Sequence, residues 1–173
     1  MWWIWIASLV VILDQITKWL ATTYLETIGF SAFIPGFISF QYVLNPGAAW
    51  GMLKNHPWIF LSLSTLAIVG IIVFMVMYKQ RHTLLTLSLS FILGGGIGNM
   101  IDRIFYGKVV DFLHFEWIQF PTFNIADSAI TIGGILMLVW VIFIDFPCER
   151  RKEKEKKAQA NQLHEENYDI SDS

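Results

Sequence analysis

The chain has 173 residues, 55% of them hydrophobic, and a mean hydropathy of +0.53, which is too apolar for an ordinary soluble domain of this size and reads as a membrane protein. The formal net charge of −2 hides an uneven distribution, with charge gathered in the tail and at a few points inside apolar runs, and no basic stripe points to nucleic acid. One cysteine excludes an internal disulfide framework; the four histidines (His56, His82, His114, His164) lack metal-ligand spacing, so no metal or cofactor is expected.

The first apolar run, "MWWIWIASLVVILDQITKW", has no basic region before it and continues past any plausible cleavage site, so it reads as a retained spanning helix over Trp2–Tyr24. Asp14 and Lys18 interrupt it four residues apart, on one helix face. As a closed ion pair they should tolerate joint apolar replacement; as part of a site they should not. The link Leu25–Pro57 carries "FISFQYVL" (Phe37–Leu44), rich in aromatic and β-branched residues and read as a strand. A second span, Trp58–Tyr78, is uninterrupted.

The third span, Leu84–Ile101, contains "GGGIGN" (Gly94–Asn99). With no strand before it this is no nucleotide loop; its glycines read as close helix packing. Asn99, Asp102 and Arg103 lie at the end of this span, where a long cation suits the interface. The link Asp102–Ile125 holds "VVDFLHFEWIQF" (Val109–Phe120), read as a second strand with Asp111 inside it. In "NIAD", before the fourth span (Ala126–Phe146), Asn124 is placed as N-cap and Asp127 three residues on, as in a capping box. From Cys148 the chain turns polar and mixed in charge and reads as a disordered tail, helical near its start, with Cys148 a free thiol. The expected division is a membrane domain, 1–147, and a tail, 148–173.

Runs of this length without alternation exclude barrel strands, so a four-helix bundle is expected. Basic residues Lys79 and Arg81, and those between Arg150 and Lys157, put both termini on the cytoplasmic side and the two long links outside. A charge at a span's centre costs about 2.5–3.5 kcal/mol on insertion scales, so such groups are functional candidates. Here Asn99, Asp102, Arg103, Asn124 and Asp127 gather at the outer level beside an outer sheet that carries Asp111. Two adjoining carboxylates sharing a proton can hydrolyse an amide without a metal, one as base and one as acid. The first-turn position of Asp127 favours the charged form, and the apolar surroundings of Asp111 favour the neutral one. A proton-relay transporter and a non-catalytic scaffold are the other readings. The halves show no repeat of the transporter kind.

Five stretches, "DQITK" (Asp14–Lys18), "NPGAAWG" (Asn45–Gly51), "GGGIGNMIDR" (Gly94–Arg103), "GKVVDF" (Gly107–Phe112) and "FNIADS" (Phe123–Ser128), resemble in order and spacing the motifs of the lipoprotein signal peptidase (signal peptidase II) family, intramembrane aspartyl proteases of bacteria. Trp50 stands where that family usually has phenylalanine, and the tail falls outside the resemblance. The resemblance implies an all-α membrane fold of four transmembrane helices with a small extracytoplasmic β-cradle. It implies Asp111 and Asp127 as catalytic dyad, Asn124 orienting Asp127, and Asn45, Asn99 and Arg103 binding or positioning substrate. Asp14 and Lys18, with Gly47, Asp102 and Ala126 from the same motifs, would support the site. The implied substrate is a prolipoprotein cut before its diacylglyceryl-modified cysteine at the outer leaflet of the bacterial cytoplasmic membrane, with inhibition by globomycin-type cyclic peptides.

Overall fold

A computed structural model describes residues 2–47, 57–78, 82–147 and 150–151. Ala48–Gly51 of the second motif, Lys54, His56, Lys79, Arg81, Cys148 and the tail from residue 152 lie outside the described residues. The chain divides into two units, Met1–Leu136 and Met137–Ser173, and everything that forms the site belongs to the first.

The element order is α1 (Trp2–Ile28), β1 (Phe30–Ile34), β2 (Ile38–Asn45), α2 (Pro57–Met77), α3 (Thr83–Tyr106), β3 (Val109–Phe115) and α4 (Ile125–Trp140), which continues as a π-helical turn over Val141–Asp145. Among the described residues three helices are long and apolar enough to span a membrane: Trp2–Ile28, Thr83–Tyr106 and Ile125–Asp145. The apolar part of α2, Leu61–Met77, is shorter. The expected first span stops four residues short of the end of α1, because the extra turn carries Glu26 and Thr27, polar residues that a hydropathy reading cuts away.

Helix ends follow from local chemistry. His82 caps α3, its Nδ1 accepting the Leu84 N–H at 3.1 Å. Gly107 closes α3 at φ +70°, and its N–H donates to Arg103 O, a left-handed cap that turns the chain directly into β3.

The three strands form one antiparallel sheet in the order β1-β2-β3. The turn Pro35–Gly36–Phe37 joins β1 to β2. In the second ladder Val43 faces Asp111 and Asn45 faces Val109, so Asn45 and Asp111 are diagonal neighbours on one face of the sheet. The strand expected over Val109–Phe120 ends at Phe115. Its last partner is Ile38, the first residue of β2, so nothing remains for residues 116–120 to pair with. The chain instead ties back through Glu116, whose N–H donates to Phe37 O and whose Oε2 accepts the Gly36 N–H. The last turns of α1 carry the sheet: Ala21 and Leu25 pack with Val110 and Phe112 in a small apolar core. The returning link binds the free edge of β3 through Leu113 and Phe123, which exchange N–H···O bonds of 2.8 and 2.9 Å. This sets Phe123 beside β3 one residue before Asn124, and so brings the start of α4 next to Asp111.

Candidate active site

A cleft of ≈ 650 Å³ opens between β2, β3, α2, α3 and α4. Asn45, Gly47, Asn99, Arg103, Asp111 and Asp127 line it, beside the ring wall of Phe115, Phe120 and Phe123. The three rings pack on one another with centroids 5.1–6.1 Å apart. Asn124, Asp14, Lys18, Asp102 and Ala126 are buried behind this surface rather than on it.

Asp111 projects from the buried half of β3 and Asp127 from the first turn of α4. Asn124 ties them together. Its Nδ2 donates to Asp111 Oδ1 at 2.6 Å, and its Oδ1 accepts the Asp127 N–H at 2.9 Å. Asp127 Oδ2 accepts the Asn124 N–H at 3.3 Å, which completes the reciprocal capping box. Capping uses only one carboxylate oxygen of Asp127. The other, Oδ1, accepts from Asn99 Nδ2 at 2.7 Å. Asp111 Oδ2 accepts from Asn45 Nδ2 at 2.9 Å. Burial pushes the Asp111 carboxyl up to about 6; the amide donors of Asn45 and Asn124 pull against that shift, and the neighbouring Asp127 carboxylate adds to it.

Each asparagine amide has its direction set by a group whose polarity is fixed. Asn45 Oδ1 accepts the Gly47 N–H at 2.9 Å, Asn124 Oδ1 accepts a backbone N–H, and Asn99 Oδ1 faces the Lys18 ammonium at 2.9 Å. A flipped amide would set donor against donor at each point, so all three amides present N–H to a carboxylate.

Behind Asn99 lies a second charged cluster. The Lys18 ammonium has three protons and three acceptors: Asp14 Oδ2 at 2.9 Å, Asp102 Oδ2 at 3.0 Å and Asn99 Oδ1. Asp14 Oδ1 accepts the Ala126 N–H at 2.9 Å, and Asp102 Oδ2 accepts the Val110 N–H at 3.2 Å. The cluster therefore pins α1, α3, β3 and the start of α4 to one another. Asp14 and Lys18 are not a closed pair, because Asp102 shares the cation. Gln15 belongs here too, its Nε2 lying 3.0 Å from Asp102 Oδ1 and 3.2 Å from Gly98 O. It was missed in the sequence although it sits inside the first motif, where a third polar residue in a span was the available signal. Arg103 turns toward the cleft, Nη1 donating to Asn99 O and Nη2 to Gly47 O, both at 3.3 Å, instead of only reaching for the interface.

A model of the family described as signal peptidase (SPase) II matches residues 6–143. The lipoprotein signal peptidase of Symbiobacterium thermophilum is 44% identical over 142 residues, covering 81% of this chain and 93% of that protein. That of Brevibacillus brevis is 42% identical over 146 residues, covering 84% and 97%. A solved structure described as a bacterial membrane enzyme, obtained by the in meso method at 1.9 Å, superposes with a TM-score of 0.75 at 34% identity over 82% of this chain and 93% of that one. A family model spanning most of the chain, and relatives matched along nearly their whole length, make this chain a member of the signal peptidase II family of proteases.

Proposed function

We propose that the chain is an aspartic endopeptidase that removes the signal peptide of a prolipoprotein, cutting before a cysteine that already carries diacylglycerol. The observation that carries this is the pair Asp111 and Asp127, lining one cleft and joined through Asn124. The name shared by its relatives supports the substrate class.

Below about pH 6 the resting site keeps its proton on Asp111, and Asp127 is the base. The elevated Asp111 supports this assignment, as do the amide donor and helix N-terminus facing Asp127. Asp127 takes a proton from water as its oxygen attacks the scissile carbonyl carbon, and Asp111 gives its proton to the carbonyl oxygen. The resulting gem-diol collapses: the C–N bond breaks, the amine takes the proton held by Asp127, and Asp111 recovers its own. Asn45, Asn99 and Arg103 position substrate, while Asn124 with Asp14, Lys18, Asp102, Gly47 and Ala126 holds the geometry. No resident metal or cofactor enters this scheme.

The purified protein in detergent, given a lipidated precursor with a chelator and no energy source, should cleave it, and globomycin should block the cut. Intact protein that leaves the precursor whole would overturn the proposal. A proton-relay transporter has no support among the relatives.

We also assign α2 as a fourth span, both termini to the cytoplasmic side of the bacterial inner membrane, the cleft to the outer leaflet, and residues 148–173 to a tail apart from the 1–147 protease domain. The apolar stretch Leu61–Met77 and the basic residues at 79–81 and 150–157 support this. Cysteine introduced near Gln80 or in the tail should resist a membrane-impermeant thiol reagent in intact cells, and cysteine near Gly36 should react. The reverse labelling pattern would invert the topology.

A further inference from the structure

A second cavity, of ≈ 380 Å³, lies between α1, the end of α3 and strands β2 and β3. It is on the other face of the sheet from the cleft. Side chains alternate along a strand, and Val109, Asp111 and Asn45 line the cleft while Val110 and Leu44 line this cavity. Its inner wall is the back of the buried charge cluster, formed by Gln15, Lys18 and Asp102. That wall has little left to offer a ligand. The three protons of Lys18 have three acceptors. Asp102 accepts from Gln15 through Oδ1, and from Lys18 and the Val110 N–H through Oδ2.

The rim is the opposite. Trp19, Thr22, Tyr42, Tyr106 and Lys108 line it, and each brings an N–H or O–H donor. Among the described residues none of these side chains has a hydrogen-bond or ion-pair partner. The other threonines of this part of α1 show the contrast. Thr17 and Thr23 spend their hydroxyls on carbonyls of the preceding turn, at 2.8–2.9 Å, and Thr22 does not. Unpaired donors and an uncompensated cation around a charge-balanced wall suit a ligand that is rich in acceptors and negatively charged.

Placement says where such a ligand comes from. Tyr106 and Lys108 flank Gly107, which ends α3 at the outer level assigned above. Tryptophan and tyrosine favour the headgroup level of a bilayer, and lysine there attracts anionic lipid. Ile12 is 54% exposed and lies on the same face of α1 as Gln15, Trp19 and Thr22, about 10 Å deeper than Trp19. That apolar track gives nothing to a free anion and suits an acyl chain.

We infer that this cavity binds the headgroup of an anionic phospholipid from the surrounding leaflet. Lys108 and the neutral donors of the rim hold the phosphodiester, and the chains lie along α1. The bound lipid braces α1, α3 and the sheet from behind the Asp14–Lys18–Asp102 cluster. This goes beyond the peptidase reading, and its test does not read cleavage, so a failure here is separate from a failure there.

The full-length protein, purified in neutral detergent, is titrated with phosphatidylglycerol, phosphatidylcholine or inorganic phosphate. Native mass spectrometry counts retained lipid, and thermal unfolding reads the stabilisation that binding brings. Wild type should hold phosphatidylglycerol more tightly than phosphatidylcholine and gain Tm from it. Lys108→Gln should weaken phosphatidylglycerol binding by about tenfold or more, since a charge-assisted contact is lost. Thr22→Val and Tyr106→Phe each remove one hydroxyl and no charge, and each should weaken it roughly 2- to 10-fold. These neutral changes separate a built site from the general attraction of a lysine to anionic lipid, which they leave intact. Unchanged phosphatidylglycerol affinity in both neutral variants would overturn the inference, as would equal retention of the two lipids by wild type. A Tm gain from inorganic phosphate as large as that from phosphatidylglycerol would also overturn it, by showing an anion site that needs no lipid.

Discussion

Asp111→Asn and Asp127→Asn each bring cleavage of a lipidated precursor to background, because each removes half of an acid–base pair. Positioned proton transfer contributes on the order of 10²–10⁴-fold, so either loss alone falls outside any assay scatter. The two variants should part in binding. Asp111→Asn imitates a neutral acid and keeps an oxygen for the 2.6 Å bond from Asn124; its amide N–H then faces the Asn45 donor, but no resting charge is lost, so affinity for globomycin should stay near normal. Asp127→Asn deletes the resting charge and sets an amide N–H against a donor, Asn99 Nδ2 or the Asn124 N–H, so it should change affinity more. The pH profile checks the same assignment. A carboxyl raised to about 6 stays protonated below that pH and loses its proton above it. If Asp111 is the acid, kcat/KM of wild type should decline above about pH 6, by up to about tenfold per unit. Equal affinities of the two variants across pH would remove the assignment of roles. Cleavage well above background in either variant would sink the aspartyl mechanism.

The parts of the molecule that lie far apart in sequence and close in space mark the limit of what could be read in advance. The helical segments were legible because about 20 apolar residues in a row have few other folds. β2 was legible from its aromatic and β-branched composition. β1 was not: "FSAFI" is five residues, mostly exposed, and owes its strand to pairing with β2. The Asp14–Lys18 contact followed from helix spacing, but the part played by Asp102 did not. That aspartate is as near in sequence to Asn99 and Arg103 as to anything else, and only the crossing of α1 over α3 brings it to Lys18. The glycines of α3 make the same point. Periodicity cannot tell a glycine that a neighbouring helix requires, such as Gly94, Gly95 or Gly98, from one with room beside it, such as Gly96, since the difference lies in atoms of α1, α2 and α4.

Lys18→Met should destabilise the protein more than any other single change in this cluster. It leaves Asp14 and Asp102 buried with no cation between them, and breaking a buried pair by removing one partner costs about 3–5 kcal/mol. It also removes one of the two donors to Asn99 Oδ1, leaving Asn124 Nδ2 at 3.1 Å, and so loosens the amide that donates to Asp127. Lys18→Arg should not rescue, because a planar guanidinium cannot direct three protons to three acceptors spread around a compact ammonium. Replacing Asp14 and Lys18 together by leucine would be neutral if the two closed on each other. Here it leaves the Asp102 carboxylate without its cation and the Ala126 N–H without its acceptor, so the double variant should lose both stability and cleavage. Removing all three charges, with Asp14→Asn, Lys18→Met and Asp102→Asn, should recover part of the stability but not the full cleavage, since Asn99 is then held by Asn124 alone at its oxygen. Thermal unfolding in detergent reads the first quantity, and precursor cleavage across pH reads the second. A double variant as stable and as active as wild type would show that Asp102 does not depend on Lys18, and that Asn99 holds its orientation without it.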